Sequence, residues 1–188
     1  SVISMIFQET MTSLNPSMRC GEQICESVQL HTRQPKSEAK DAVFSLLAEV
    51  HLPAGTEIYR KYPHQLSGGQ RQRIMIAMAL AGNPALLIAD EPTTALDVTV
   101  QRKILDLLQE IRHNRMMGLL FISHDLGVIK SVCENALVMY NGHIVESGNV
   151  DALFRSPGHP YTRGLIACRP VPGSKQDRLP TLADFMDQ

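Results

Sequence analysis

"ALLIADEPTTALD", residues 85–97, is the stretch whose reading decides the fold. Its first part, ALLIAD (85–90), is a short unbroken apolar run that closes on an acid. A strand covered on one face alternates apolar with polar residues, so an unbroken run reads as a strand buried on both faces. Downstream, Ile104, Leu107, Leu108 and Ile111 recur at helical spacing and predict an amphipathic helix over about 98–115. A second unbroken run, GLLFIS (118–123), leads into His124-Asp125, after which LGVIKSVC (126–133) returns to a helical pattern. Strand, helix, strand, helix implies an α/β fold on a parallel sheet.

Working outward, Val2, Ile3, Met5, Ile6 and Phe7 in SVISMIFQET (1–10) form a further strand pattern. The chain starts without Met and looks cut from something longer. Between residues 8 and 64, loop signals at Asn15-Pro16, Pro35 and Pro53-Ala54-Gly55 alternate with helical stretches near 20–31 and 37–50. In the second of these Ala42, Val43, Leu46, Leu47 and Val50 keep the helix period, so the region reads as a small helical insert. Towards the other end, ALVMY (136–140) and HIVESG (143–148) flank Asn141-Gly142, a pair suited to the positive φ angles of a two-residue hairpin turn. An antiparallel ribbon closing the sheet edge is expected there. From Ser156 on, Pro157, Pro160, Pro170, Pro172, Gly173 and Pro180 break the pattern into a linker-like tail with one short helix at about 160–167.

Composition narrows the function. Eighteen Lys and Arg against nineteen Asp and Glu leave a net charge of −1, too balanced a field to draw in nucleic acid, so any anion site must be local. The four cysteines (Cys20, Cys25, Cys133, Cys168) form no CxxC pair and have no His partner at zinc spacing, which reads as free thiols in a reducing compartment. No apolar run approaches the roughly 18 residues of a membrane span, and the start lacks a basic segment followed by a secretory core.

Three groups of residues carry candidate chemistry. In HQLSGGQRQRIMIAM (64–78), Ser67, Gly68 and Gly69 precede a helix that begins polar and basic and then turns apolar. The first amides of a helix lack internal acceptors and carry partial positive charge, so small residues there let an anion approach. The spacing alone suits a plain serine N-cap over a glycine turn better. Asp90-Glu91 sets two carboxylates at a strand end, one able to face a metal and the other a water, while the following Pro92-Thr93 equally suits a simple helix start. His124, at the next strand's end, could meet the same ligand, since ligands of open α/β sheets sit beyond the carboxyl ends of the strands. A lone histidine there is more often structural.

Together these motifs resemble the ATP-binding subunit of ABC transporters. LSGGQRQR (66–73) is similar to that family's signature sequence, ALLIADEP (85–92) to its Walker B strand with the adjoining glutamate, and TTALD (93–97) to its D-loop. ISHD (122–125) is similar to its switch histidine and IFQET (6–10) to its Q-loop, so five motifs stand in the family's order over residues 1 to about 150. The implied fold is a P-loop NTPase-like parallel sheet flanked by helices, with a helical subdomain at about 11–80. Residues 1–155 would form a partial ATPase domain and 156–188 an importer-type tail or linker. MTSLNP (11–16) and HPYTRGLIAC (159–168) resemble importers of dipeptides, oligopeptides or nickel, peptide being the better reading. Some such relatives hold an iron–sulfur cluster on tail cysteines, which takes four thiolates, and this tail supplies only Cys168, so no cluster is expected.

The resemblance also assigns roles. Two such domains face head to tail, and the helix start at Ser67, Gly68 and Gly69 would contact the γ-phosphate of ATP carried by the partner, with Gln70, Arg71 and Arg73 towards the interface or its surroundings. On the chain's own nucleotide, by contrast, Asp90 would help hold Mg2+ through water, and Gln8 would reach the metal and the attacking water. Glu91 would be the general base. His124 would touch the γ-phosphate and tie it to the D-loop, where Asp97 communicates across the dimer. The insert between Gln8 and His64 would be the lever against membrane permease subunits, with apolar patches as contacts although most of its apolar residues are expected to pack against the sheet, and a substrate-binding protein would take part indirectly. The chain would then sit peripherally on the cytoplasmic face of the inner membrane.

One family motif is absent from this sequence: there is no GxxxxGK[ST] loop to wrap the phosphates. In the family that loop lies upstream of the Q-loop, so the N-terminal part of the fold is expected to be missing. The phosphate cradle, an aromatic contact to adenine and a strand beside ALLIAD would go with it, leaving an open edge and uncovered apolar surface. Some relatives fuse two ATPase halves, and the tail could lead into a second one. Two alternatives stand beside the importer: a non-catalytic remnant that only docks, and a soluble ABC ATPase of DNA repair or translation. The latter usually carries coiled coils or basic insertions, and this sequence has neither.

Overall fold

The computed structural model describes residues 2–8, 13–32, 35–53, 56–94, 96–168 and 185, the side chain of Lys36 excepted. Most of the linker-like tail, from residue 169 on, and parts of the IFQET, MTSLNP and TTALD motifs lie outside the described residues. The chain divides into two compact units, Ser1–Ile122 and Ser123–Gln188.

The first unit is built on three parallel strands, β1 (Ile3–Ile6), β2 (Leu86–Asp90) and β3 (Gly118–Ile122), in the order β1-β2-β3. Its helices are α1 (Cys20–Thr32), α2 (Lys36–Glu49), α3 (Thr56–Arg60), α4 (Gly68–Leu80) and α5 (Val98–Arg115), with a 3-10 turn at Pro63–Gln65. Period-2 alternation sends Ile6, Leu87 and Ala89 into the helical layer, where they are buried, with Leu119 and Phe121 packed beside them. Ile24, Val28, Val43, Leu47, Ile74, Ile76, Leu107 and Leu108 complete that core from the helices. The opposite face keeps Ile3, Met5, Leu120 and Ile122 exposed, Ile122 to 44%.

Two expectations change here. Both unbroken apolar strands are covered on one face, because the core helices stack on the side of Ile6 and Leu87 while the other side stays open. The place beside ALLIAD is also filled: β2 takes both neighbours from this chain, and the sheet's open edges belong to β1 and β3. The uncovered apolar surface is present, but it is the sheet face and not a gap next to β2.

The helical insert turns its apolar stripe inward. Val43, Leu46, Leu47 and Val50 are buried in the core, so this part of the insert's apolar surface serves packing. Arg115 pins the insert: its Nε and Nη2 donate to the two Glu49 oxygens, 2.6 Å each, and its Nη1 donates to the Leu80 carbonyl at 3.2 Å. This joins the end of α5 to α2 and to the end of α4. The five-residue α3 and the 3-10 turn were not read from the sequence, being too short to show a period.

The second unit holds α6 (Leu126–Val132), β4 (Asn135–Tyr140), β5 (His143–Asn149), α7 (Val150–Arg155) and α8 (Pro160–Ala167). Asn141 and Gly142 take φ of 48° and 79°, the left-handed pair that a tight hairpin requires. The ribbon does not close the parallel sheet. β4 and β5 satisfy each other as a separate two-stranded sheet, with an irregularity between Val138 and Met139.

Glu146 of β5 anchors the start of α8, accepting hydrogen bonds from the backbone N–H of Gly158 at 2.7 Å and of His159 at 3.1 Å. Burial alone would raise its carboxyl pKa, but the Thr162 hydroxyl, these two amides and the charge of His159 pull it below the ordinary carboxylate range. A depressed pKa means the anchor is fully present above the unfolded value of about 4.3 and is lost as pH falls through the folded one. Hydrogen exchange should therefore show Gly158 and His159 protected at neutral pH and released in acid below that range. Glu146→Gln should weaken the protection at neutral pH and remove its dependence on pH through the carboxylate range.

Candidate active site

Parallel register brings the two principal residues together. Ile6 of β1 pairs with Ala89 of β2, so Gln8 and Glu91, each two residues further on, leave the sheet side by side at the carboxyl ends of the strands. The Gln8 Nε2 donates to Glu91 Oε2 at 3.0 Å across 83 residues of sequence. A second donor, Thr94 Oγ1, reaches the same oxygen at 2.8 Å.

The backbone of Glu91 is strained. It takes φ 45°, a left-handed conformation that costs a non-glycine residue about 1 kcal/mol or more. Two hydrogen bonds hold it there: its N–H donates to the Ile122 carbonyl at 3.0 Å, and its own carbonyl accepts from the Thr94 N–H at 3.2 Å. Pro92 and Thr93, both buried, fill the turn between. Asp90, half-buried, ends β2 opposite Ile122 of β3. Its side is that of Ile88, away from Ala89, as alternation requires.

The helix start at 67–69 is a real N-terminus. Ser67 is the N-cap of α4, its hydroxyl accepting from the Gln70 N–H at 3.3 Å while its own N–H donates to Gln70 Oε1 at 3.1 Å. This is a reciprocal capping box, which makes Ser67 a true N-cap and engages the Gln70 side chain. Neither glycine has a positive φ. Gly69 has a packing reason instead, since a Cβ there would lie 2.6 Å from Val100 Cγ1 of α5, whereas at Gly68 the nearest atom would be Leu96 Cδ2 at 3.2 Å. Arg71 and Arg73, implied to face an interface, reach backbone carbonyls of their own unit: Arg71 Nη1 to Pro63 at 3.4 Å and Arg73 Nη1 to Val50 at 2.6 Å.

The same glycine contacts set the start of α4 against the segment bearing Asp97. That carboxylate caps α5, accepting from the Val100 N–H at 2.9 Å, and is exposed. His124 is an exposed residue of the second unit, just before Asp125, which caps α6 by accepting from the Gly127 N–H at 2.7 Å. Among the described residues no group of three His, Cys, Asp or Glu side chains converges as a metal cage. Thr94 stands in the TTALD motif three residues after Glu91, where its residue type alone points to no role. A hydroxyl in a turn signals nothing until the turn's geometry is known.

Comparison with known proteins places this arrangement. Residues 1–94, half of the chain, match the family described as ABC transporter, and residues 145–186 match the oligopeptide/dipeptide transporter C-terminal region. The chain belongs to the ABC transporter family. It is similar to the glutathione import ATP-binding protein GsiA of Escherichia coli (strain K12) and of Salmonella choleraesuis (strain SC-B67). Identity to each is 52% over 172 residues, which is 92% of this chain and 28% of theirs. The chain thus spans less than a third of the length of these curated relatives. Among solved structures, cbiO1 from Clostridium perfringens, part of the ABC transporter complex cbiONQ, aligns with a TM-score of 0.73 and 27% identity over 82% of this chain and 60% of its own. The dimeric, post-hydrolysis ATP-binding cassette MJ0796 with ADP and Pi aligns with a TM-score of 0.67 and 28% identity over 79% and 62%. The parallel sheet with its helical layer is the fold of these ABC cassettes.

Proposed function

We propose that this chain supplies the hydrolytic and signature elements of an ATP-binding subunit that energises uptake of small peptides across the inner membrane. The observation that carries the proposal is the Gln8–Glu91 contact at the carboxyl ends of neighbouring parallel strands, the place where open α/β sheets bind ligands. Glu91 is the general base, its carboxylate taking the proton of the attacking water. Gln8 holds that carboxylate through Nε2, which leaves the amide oxygen to face the reacting groups. Asp90 and the Gln8 amide oxygen are hard donors that fit Mg2+, a cation that uses one or two protein oxygens and completes its shell with waters and substrate phosphates. When bound, Mg2+ would neutralise phosphate charge. Ser67, Gly68 and Gly69 present helix amides to the γ-phosphate of ATP held by a second cassette, whereas His124 contacts the γ-phosphate of the nucleotide that Glu91 serves, and Asp97 lies at the cassette pairing surface. The dimeric state described for MJ0796 with ADP and Pi supports that pairing.

The C-terminal match to oligopeptide and dipeptide transporters, and the glutathione importers among the relatives, support a small-peptide cargo. Permease subunits are the implied docking partners, with selectivity residing there and in a substrate-binding protein. No helix among the described residues is long and apolar enough to cross a membrane, so membrane attachment would come through those partners, on the cytoplasmic face.

The test follows from the missing phosphate loop. Residues 1–188 alone should bind ATP weakly by calorimetry, and joining them to a segment bearing GxxxxGK[ST] should restore Mg2+-dependent turnover. Low-micromolar ATP affinity of the chain alone would overturn the division of labour. Failure of turnover in the joined protein, with ATP bound, would favour a non-catalytic docking module.

A further inference from the structure

We propose that Thr94 is a positioning residue that locks the Glu91 carboxylate in its working orientation, an inference that rests on the reading of Glu91 as the base. Glu91 stands on a left-handed backbone at a strand end and is half-exposed, so the orientation of its flexible side chain depends on the groups that hold it. A base must hold its geometry, since a displacement of about 1 Å can cost on the order of a hundredfold in rate. A closed loop of contacts with Thr94 holds this carboxylate over the turn. The Glu91 carbonyl accepts from the Thr94 N–H at 3.2 Å, and Thr94 Oγ1 returns over the turn to Glu91 Oε2 at 2.8 Å. Backbone and side chain of one residue are thereby tied to backbone and side chain of the other.

The chemistry favours a hydroxyl. An O–H donor to an ionised carboxylate makes a short, charge-assisted hydrogen bond, and a hydroxyl on a β-branched residue has few orientations to lose. Pro92 between them fixes one dihedral of the turn and so limits how far Thr94 can drift from Glu91. Gln8 reaches the same oxygen from β1 at 3.0 Å, so Oε2 is where the strand end and the turn meet. If Thr94 lets go, the carboxylate swings and the Gln8 contact goes with it. Thr94 thus reports on Gln8 without touching it.

The first experiment uses the 188-residue chain and needs no activity: the side-chain amide resonances of Gln8 are followed by NMR. Glu91→Ala should move them to the values of a solvated amide. Thr94→Val, nearly isosteric but without the donor, should move them the same way, while Thr94→Ser should leave them in place. Glu91→Ala shifting them with Thr94→Val silent would overturn the proposal, as would resonances that ignore Glu91→Ala. The second experiment uses the protein joined to a phosphate-loop segment. There Thr94→Val should lower kcat about tenfold with KM for ATP unchanged, and Thr94→Ser should restore it. A normal kcat for Thr94→Val beside an inactive Glu91→Gln would sink the positioning role. A normal kcat for Glu91→Gln would sink the base assignment instead, with the NMR result on Thr94 still standing.

Discussion

Glu91→Gln, in the protein joined to a phosphate-loop segment, should lower steady-state phosphate release by about 10²–10⁴-fold, the usual contribution of a general base. The substitution is chosen because it spares everything but the proton. A glutamine has the length of a glutamate, keeps an oxygen for the Thr94 hydroxyl and the Gln8 amide, and leaves the 91–94 turn and its hydrogen bond to Ile122 untouched. Stability should change little, KM for ATP should hold, and kcat alone should fall, the pattern of an interaction made only in the transition state. If opening of the paired cassettes follows hydrolysis, the variant should also accumulate as an ATP-bound dimer on size exclusion. A turnover within a few-fold of the parent would mean that another group takes the proton. His124 would then be the next residue to replace.

Glu91 also shows where sequence reading succeeds and where it stops. The apolar run ending in Asp90, the helix at 98–115 and the short helix at 160–167 were legible because each is a local pattern: an unbroken run, a 3.6 period, a proline at a helix start. Gln8 and Glu91 were legible as motif members, but their contact was not, since it depends on the register of two strands far apart in the chain. The same holds for burial. ALLIAD and GLLFIS look alike along their length, and nothing in either says that Leu120 and Ile122 face outward while Leu119 and Phe121 meet the helices. Arg73 meets a similar limit: the resemblance places it towards an interface or its surroundings, and only the fold shows that Val50 ends α2 close enough to offer it a carbonyl at 2.6 Å. Thr94 lay in plain view in the motif and acquired meaning only when the left-handed turn at Glu91 folded the chain back on itself.

The two signature glycines should separate when each is changed to alanine. At Gly69 the new methyl would sit 2.6 Å from Val100 Cγ1, inside any tolerable contact, and Val100 is β-branched, in the first turn of α5, and slow to yield. Overpacking of this kind costs about 1–3 kcal/mol, against which a glycine-to-alanine change in a helix returns up to about 1. A net loss of about 1–2 kcal/mol corresponds to a fall of roughly 2–8 °C in Tm for a domain of this size. At Gly68 the nearest atom would be the far end of the Leu96 side chain at 3.2 Å, which can turn aside, so Gly68→Ala should melt within about 1–2 °C of the parent. Function should not follow stability. If both glycines are bare because a phosphate from the partner cassette must reach the helix amides, each alanine should abolish ATP-dependent pairing of the joined protein. Adding Val100→Ala to Gly69→Ala should then recover the melting temperature without recovering the pairing. Intact pairing in Gly68→Ala would leave the packing of Gly69 against Val100 as the remaining reason for a glycine here, and the phosphate contact at Ser67, Gly68 and Gly69 would have to be given up.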